Sequence, residues 1–205
     1  MVIEAVAGAH AELAGTLGRP VASAFPRLQR AVVDLLSSLD GSRVRGETSC
    51  LLVARKGHHV WWLSIGDCVL YVLHPEYARL GQFAVNQRSF FEWIGQVNTF
   101  REAVPCFTTG VKRLRGGRNT LVALTDGVLE CGNRPFGRPE RLHAAFSSSA
   151  ATRDGVERLL REVRAQRGRD SATVVAWSCT ASEPAPYPSD WQGPRPDRAA
   201  QGRTS

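Results

Sequence analysis

Lysine is nearly absent from these 205 residues: of 26 basic side chains only Lys56 and Lys112 are lysine, and the rest are arginine. Cysteine is sparse, with Cys50, Cys68, Cys106, Cys131 and Cys179. No two of them form a CxxC pair and their number is odd, which argues against a zinc or disulfide framework. Cys50 sits in an apolar stretch and Cys68 beside one, as suits reduced thiols that pack as small hydrophobes. No apolar run approaches the ~20 residues needed to cross a bilayer. The opening MVIEAVAGAHAELAG carries Glu4 early and has no basic stretch before its apolar residues, so it does not read as a signal peptide. A cytoplasmic protein without a membrane partner is expected.

What is present is ordinary for a globular chain, with 43% hydrophobic and 22% charged residues. This length suits one domain, which can bury roughly 70% of the surface its unfolded form exposes. The net charge of +7 admits two readings. One is attraction to anions such as nucleic acid or phosphoproteins; the other is a genome that encodes arginine in place of lysine. The arginines are scattered, with mild clusters at Arg113–Arg118 and Arg158–Arg169, which favours the second. No zinc finger or RNP-like aromatic run accompanies the charge, so no nucleic-acid partner is expected, and the chain is read as a monomer.

Along the chain, residues 3–18 and 21–39 read as helices separated by Gly18-Arg19-Pro20. In the second, Phe25, Leu28, Val32, Leu35, Leu36 and Leu39 recur at helical spacing. Strands are expected over 48–57 and 59–66, joined as a hairpin at Lys56-Gly57-His58, and over 68–74. Residues 75–118 read as mixed loop and strand around FFEWIGQVNTF. NTLVALT (119–125) is a near-continuous apolar strand stopping at Asp126-Gly127. Helices are expected over 139–147 and 153–167, and a buried strand over 171–178. The Pro-, Ser-, Gly- and Arg-rich 180–205 reads as a disordered tail after a domain over 1–179. The sum is an α+β layered arrangement.

Three acidic sites stand at the edges of apolar strands: Asp67 in SIGDC, Asp126 with Glu130 in LVALTDGVLE, and Asp170 in RGRDSATVVAW. An ionised carboxylate is costly there unless a cation neutralises it. Several converging would repel one another, and a hard divalent ion with oxygen ligands is the usual remedy. Each aspartate alone could instead be a turn or cap residue bonding its own backbone, as Asp40-Gly41 and Asp154-Gly155 illustrate. The recurrence of the strand-end context favours the chemical reading.

On these residues the chain resembles the metal-dependent serine/threonine protein phosphatases of type 2C. GETSCLLVARKGHHVWWLSIGDCVLYVL is similar to that family's "G-T-T-A … GDSR" segment, LVALTDGVLE to its "L-x-S-D-G-L-x-D" and RDSATVVAW to its closing "D-N-x-T-x-x-V", in order, over roughly residues 3–178. The resemblance implies a four-layer α/β/β/α sandwich of two antiparallel sheets flanked by helices, N-terminally incomplete here. It implies catalytic, metal-binding roles for Asp126 and Asp170, and a looser ion at Asp67 and Glu130, with two or three Mg2+ or Mn2+ ions in all. It implies direct attack of a metal-activated water on phosphoserine or phosphothreonine, and a phosphoprotein, kinase or regulator as partner. No Asp-Gly-x-Gly-Gly, whose aspartate bridges the ions in the family, occurs in the sequence, and Met1 falls where the helix after that motif begins. The expectation is a chain truncated upstream or a short, metal-poor relative, and the alternative activity is that of a pseudophosphatase that binds partners. Cys68-Val69 replaces the commoner Ser-Arg, and Ser171 the usual Asn.

NQRSFFEWIGQVNTF (86–100) reads either as a substrate-facing flap in which Arg88 contacts phosphate, or as core packing by Phe90, Phe91, Trp93 and Ile94. His58 and His59 read as a turn pair and His143 as a surface helix residue, none paired with a Ser or Cys nucleophile, so no acyl-transfer triad is expected.

Overall fold

The computed structural model describes residues 1–41, 46–89, 93–95, 97–149, 151–168 and 170–182. The chain opens with three helices, α1 (Val2–Gly8), α2 (His10–Thr16) and α3 (Val21–Ser37). The single helix expected over 3–18 is divided at Ala9 (φ −88°, ψ 1°). There follow β1 (Glu47–Thr48), β2 (Cys50–Lys56), β3 (His59–Ile65), β4 (Val69–Leu73), α4 (Pro75–Arg79), β5 (Ile94–Gly95), β6 (Thr108–Arg113), β7 (Gly117–Leu124), α5 (Asp126–Leu129), α6 (Pro139–Ser147), α7 (Thr152–Ala165) and β8 (Val174–Ala181). The closing strand runs past the expected Ser178, and the tail expectation over 183–205 lies outside the described residues.

Every strand pairing is antiparallel. One sheet has the order β2-β3-β6, a second β4-β7-β8, and β1 pairs β5 separately. Lys56 pairs with His59, so the hairpin turns through Gly57-His58 alone.

Successive strand side chains point to opposite faces, and in β3 both faces are covered. Val60 and Trp62 enter a core shared with Leu70, Val72 and Leu121, between the two sheets. Trp61, Leu63 and Ile65 meet Phe25, Leu28, Val32 and Leu36 of α3. On the far side Val69, Tyr71, Val122 and Leu124 pack against Leu142 and Phe146 of α6 and Leu159 of α7. The order of layers is therefore helix, sheet, sheet, helix, an α+β sandwich with three cores. Each large apolar side chain so buried contributes about 1.5–3 kcal/mol relative to exposure.

The 86–100 segment divides between the two readings. Ile94 and Phe100 are buried in the core beneath α3, and Trp93 is half-buried. Phe90 and Phe91 lie outside the described residues. Residues 84–89 run along β4: Ala84 bridges to Tyr71, Val85 N–H donates to the Leu70 carbonyl, and Asn86 Oδ1 accepts from Leu70 N–H at 2.7 Å.

Candidate active site at one end of the sandwich

Antiparallel register explains why three remote segments meet. Val69 at the start of β4 and Val174 at the start of β8 both pair with Leu124 at the end of β7. Residues just before β4, just after β7 and just before β8 must then share one end of the sheet. Asp67, Asp126 and the 170–173 segment are those residues.

Local geometry sharpens the convergence. β3 and β4 belong to different sheets, and Gly66 makes the crossing with φ +81°, a conformation costly for any side chain. Thr125 ties β7 to the approach of β8: its hydroxyl donates to the Ser171 carbonyl (3.2 Å) and accepts from Thr173 N–H (2.9 Å). Asp126 opens α5, and Gly127 behind it lies against Ser171, whose carbonyl oxygen would be 2.4 Å from a Cβ at that position. Asp170 accepts a 2.7 Å bond from Ser171 N–H, the local turn role expected of a lone aspartate.

Asp67 and Asp126 are half-buried, while Glu130 and Asp170 are exposed. The Asp126 carboxyl is held above the ordinary carboxylate range, first by burial and then by repulsion from Asp67, which lies within hydrogen-bonding reach. The Gly127 N–H opposes this shift, and Asp170 adds a weaker repulsion. Glu130 turns elsewhere, accepting from Arg88 Nη2 at 2.8 Å. A cleft of about 550 Å³ is lined by Asp126, Gly127, Glu130, Gln166, Arg167 and Asp170. A larger groove of about 820 Å³ lies along α2 and α3 and is lined by none of the strand-end carboxylates.

Two carboxylates in such proximity, one of them reluctant to ionise, suit a hard cation. Mg2+ in particular is commonly held by one or two carboxylates with retained waters. Among the described residues no group of three or more His, Cys, Asp or Glu side chains is arranged to hold an ion together. The acids thus offer the Asp67–Asp126 pair, with Asp170 at longer range and Glu130 engaged by Arg88.

The histidines correct one expectation. His143 on α6 lies 3.2 Å from Ser147 Oγ, and His58 lies 3.4 Å from Ser182 Oγ. Each therefore has a serine neighbour; the first is the ordinary i,i+4 proximity of a helix, and neither lies at the acidic end.

Sequence reasoning passed over Asn86, Thr125 and Arg167. Asn86 stitches the crossing together, donating to Ser64 Oγ (3.1 Å) and the Cys68 carbonyl (2.8 Å). Its signal was only an Asn in a polar stretch. Arg167, with φ +51°, closes α7 beside the cleft; an arginine in the left-handed region leaves no mark in the sequence.

The architecture and the site's position define a class: this is the sandwich fold of the type 2C serine/threonine phosphatases. No family model matches the sequence, and no curated protein matches it. Solved structures do. PppA, a key regulatory component of T6SS in Pseudomonas aeruginosa, is similar at TM-score 0.58 and 17% identity, over 80% of this chain and 75% of that one. The Mycobacterium tuberculosis serine/threonine phosphatase PstP/Ppp is similar at 0.58 and 16%, over 88% and 81%. The PstP catalytic domain in complex with two manganese ions is similar at 0.58 and 16%, over 86% and 79%. At such identities the likeness establishes the fold.

Proposed function

We propose that the chain hydrolyses phosphoserine and phosphothreonine in proteins, with Asp67 and Asp126 holding a divalent ion, Mg2+ or Mn2+, and Asp170 contributing charge from the exposed side. The observation that carries this reading is the meeting of Asp67, Asp126 and Asp170 at one end of a phosphatase-fold sandwich. Bound there, such an ion supplies Lewis acidity toward water and phosphoryl oxygen. The chain's own residues do the rest. Asp126 and Asp67 orient the site through the Gly66 crossing and the Thr125–Ser171 contacts. Arg88 stands at the rim, where a guanidinium can donate to a pair of phosphate oxygens. The reaction moves the phosphoryl group from the seryl or threonyl oxygen to water. A phosphoprotein, or a kinase or regulator carrying a phosphate, is the fitting partner, and the chain is taken to act as a monomer in the cytoplasm.

The test is hydrolysis of a phosphothreonine peptide with Mn2+ added or chelated. Mn2+-dependent turnover lost in Asp126→Asn supports the proposal; turnover indifferent to chelation removes it. A second reading, a pseudophosphatase that binds a phosphoprotein or regulator, draws on the small ligand set among the described residues. It predicts a folded protein without turnover whose partner binding survives Asp126→Asn.

A further inference from the structure

We infer that the Arg88 guanidinium takes the place of a divalent ion beside Glu130 at the acidic end, and that Glu130 is a positioning residue for Arg88 rather than a metal ligand. The inference rests on the reading that the inner carboxylates, Asp67 and Asp126, take such an ion.

The geometry is that of a built-in counterion. Arg88 Nη2 meets Glu130 Oε1 at 2.8 Å, and the arginine is the more buried partner, 22% exposed against 42%. Both ends of the pair are anchored to the elements that carry the inner acids. On one side Ser89 N–H donates to the Gly66 carbonyl at 2.9 Å, and Asn86 holds the Cys68 carbonyl, so Arg88 rides on the crossing that bears Asp67. On the other, Glu130 N–H donates to the Asp126 carbonyl at 2.8 Å, so Glu130 is fixed to α5. The ion pair spans the same two elements that an ion shared between them would join. A guanidinium stays charged at every working pH and cannot be stripped by a chelator. The Arg88–Glu130 pair therefore keeps the Glu130 carboxylate neutralised whatever the metal supply.

The experiment is Mn2+ titration of the full chain, read by calorimetry and by the electron paramagnetic resonance of free Mn2+, with circular dichroism verifying each fold. Arg88→Met is expected to bind one more Mn2+ than the parent, and Glu130→Gln in that background to remove the gain. Arg88→Lys, which keeps the charge, should bind as the parent does. Glu130→Gln alone should leave Mn2+ affinity unchanged, where loss of a ligand shell member would weaken it by at least about ten-fold. The inference is overturned if Glu130→Gln alone weakens Mn2+ binding, or if Arg88→Met gains none. Asp126→Asn separates the two ideas: parent binding lost in that variant, with no gain in Arg88→Met, leaves the phosphatase proposal standing and removes this one. A parent that binds no Mn2+ while Arg88→Met binds one does the reverse.

Discussion

Gly127 has almost no space around it: a Cβ there would lie 2.4 Å from the Ser171 carbonyl oxygen and 2.9 Å from its carbon. Those are backbone atoms and cannot swing aside. Gly127→Ala should therefore cost about 1–3 kcal/mol, the usual range for overpacking, measured as a shift in the urea midpoint. The same substitution should push α5 off the β8 approach and weaken Mn2+ binding. At Asp126 the sign runs the other way. Its folded-state pKa is raised, by burial and then by Asp67, so its ionisation opposes folding: the contribution present in acid is lost as pH rises through the ordinary and then the raised value. Asp126→Asn should accordingly raise the melting temperature of the metal-free protein at neutral pH; an unchanged or lower value would contradict the described crowding. His59 shows the opposite shift, lowered by burial, then by Arg113 and His58. Its stabilising contribution exists above its ordinary pKa and is lost as pH falls through the folded value. His59→Gln should lose less of its melting temperature between about pH 7 and about pH 5 than the parent does.

Among the elements, β3 shows what was readable from residue pattern. Within HVWWLSI the run Val60–Leu63 is apolar on both faces because one face meets α3 and the other meets the second sheet, and such unbroken runs read plainly as buried strands. The α3 stripe was equally plain, and Phe25→Ala should cost about 3–5 kcal/mol in denaturant stability, since Phe25 is 1% exposed in the core beneath the helices. Residues 75–118 were opaque for a physical reason. They hold a helix of five residues, a strand of two and a strand of six, too short for period to show, and their places are set by partners distant in the chain. The acidic site was legible as three carboxylates at strand ends. What the pattern could not reveal is which pair comes close, because that depends on the register of β4 and β8 against β7. Nor could it show that Glu130 is spoken for, since Arg88 is 42 residues away.

At the scale of the whole molecule the acidic cluster and a basic cluster stand at opposite ends of β3. Asp67, Asp126, Glu130 and Asp170 gather where β3 and β7 finish. At the other end of β3 stand Lys56, His58 and His59, with Arg113 paired to His59. No helix among the described residues is long and apolar enough to cross a membrane. An ion held only by the folded acidic end must stabilise the fold by mass action, about 2.7 kcal/mol at a hundred times its dissociation constant. Saturating Mn2+ should thus raise the parent melting temperature and leave Asp126→Asn unmoved.

Besides the long return from β4 to β6, the chain makes two short passages between the two main sheets, at the Gly66–Cys68 turn and at Leu114–Gly116, and these short passages lie at opposite ends of the strands. Mechanically the sandwich is a pair of plates riveted at diagonal corners, and one rivet carries Asp67. Any slip of one plate over the other is felt there as a change in the gap to Asp126, which rides on the second plate alone. Loosening the packing between the plates, at Leu70 or Val72 for instance, would then be transmitted to ion affinity without a single acidic residue being touched.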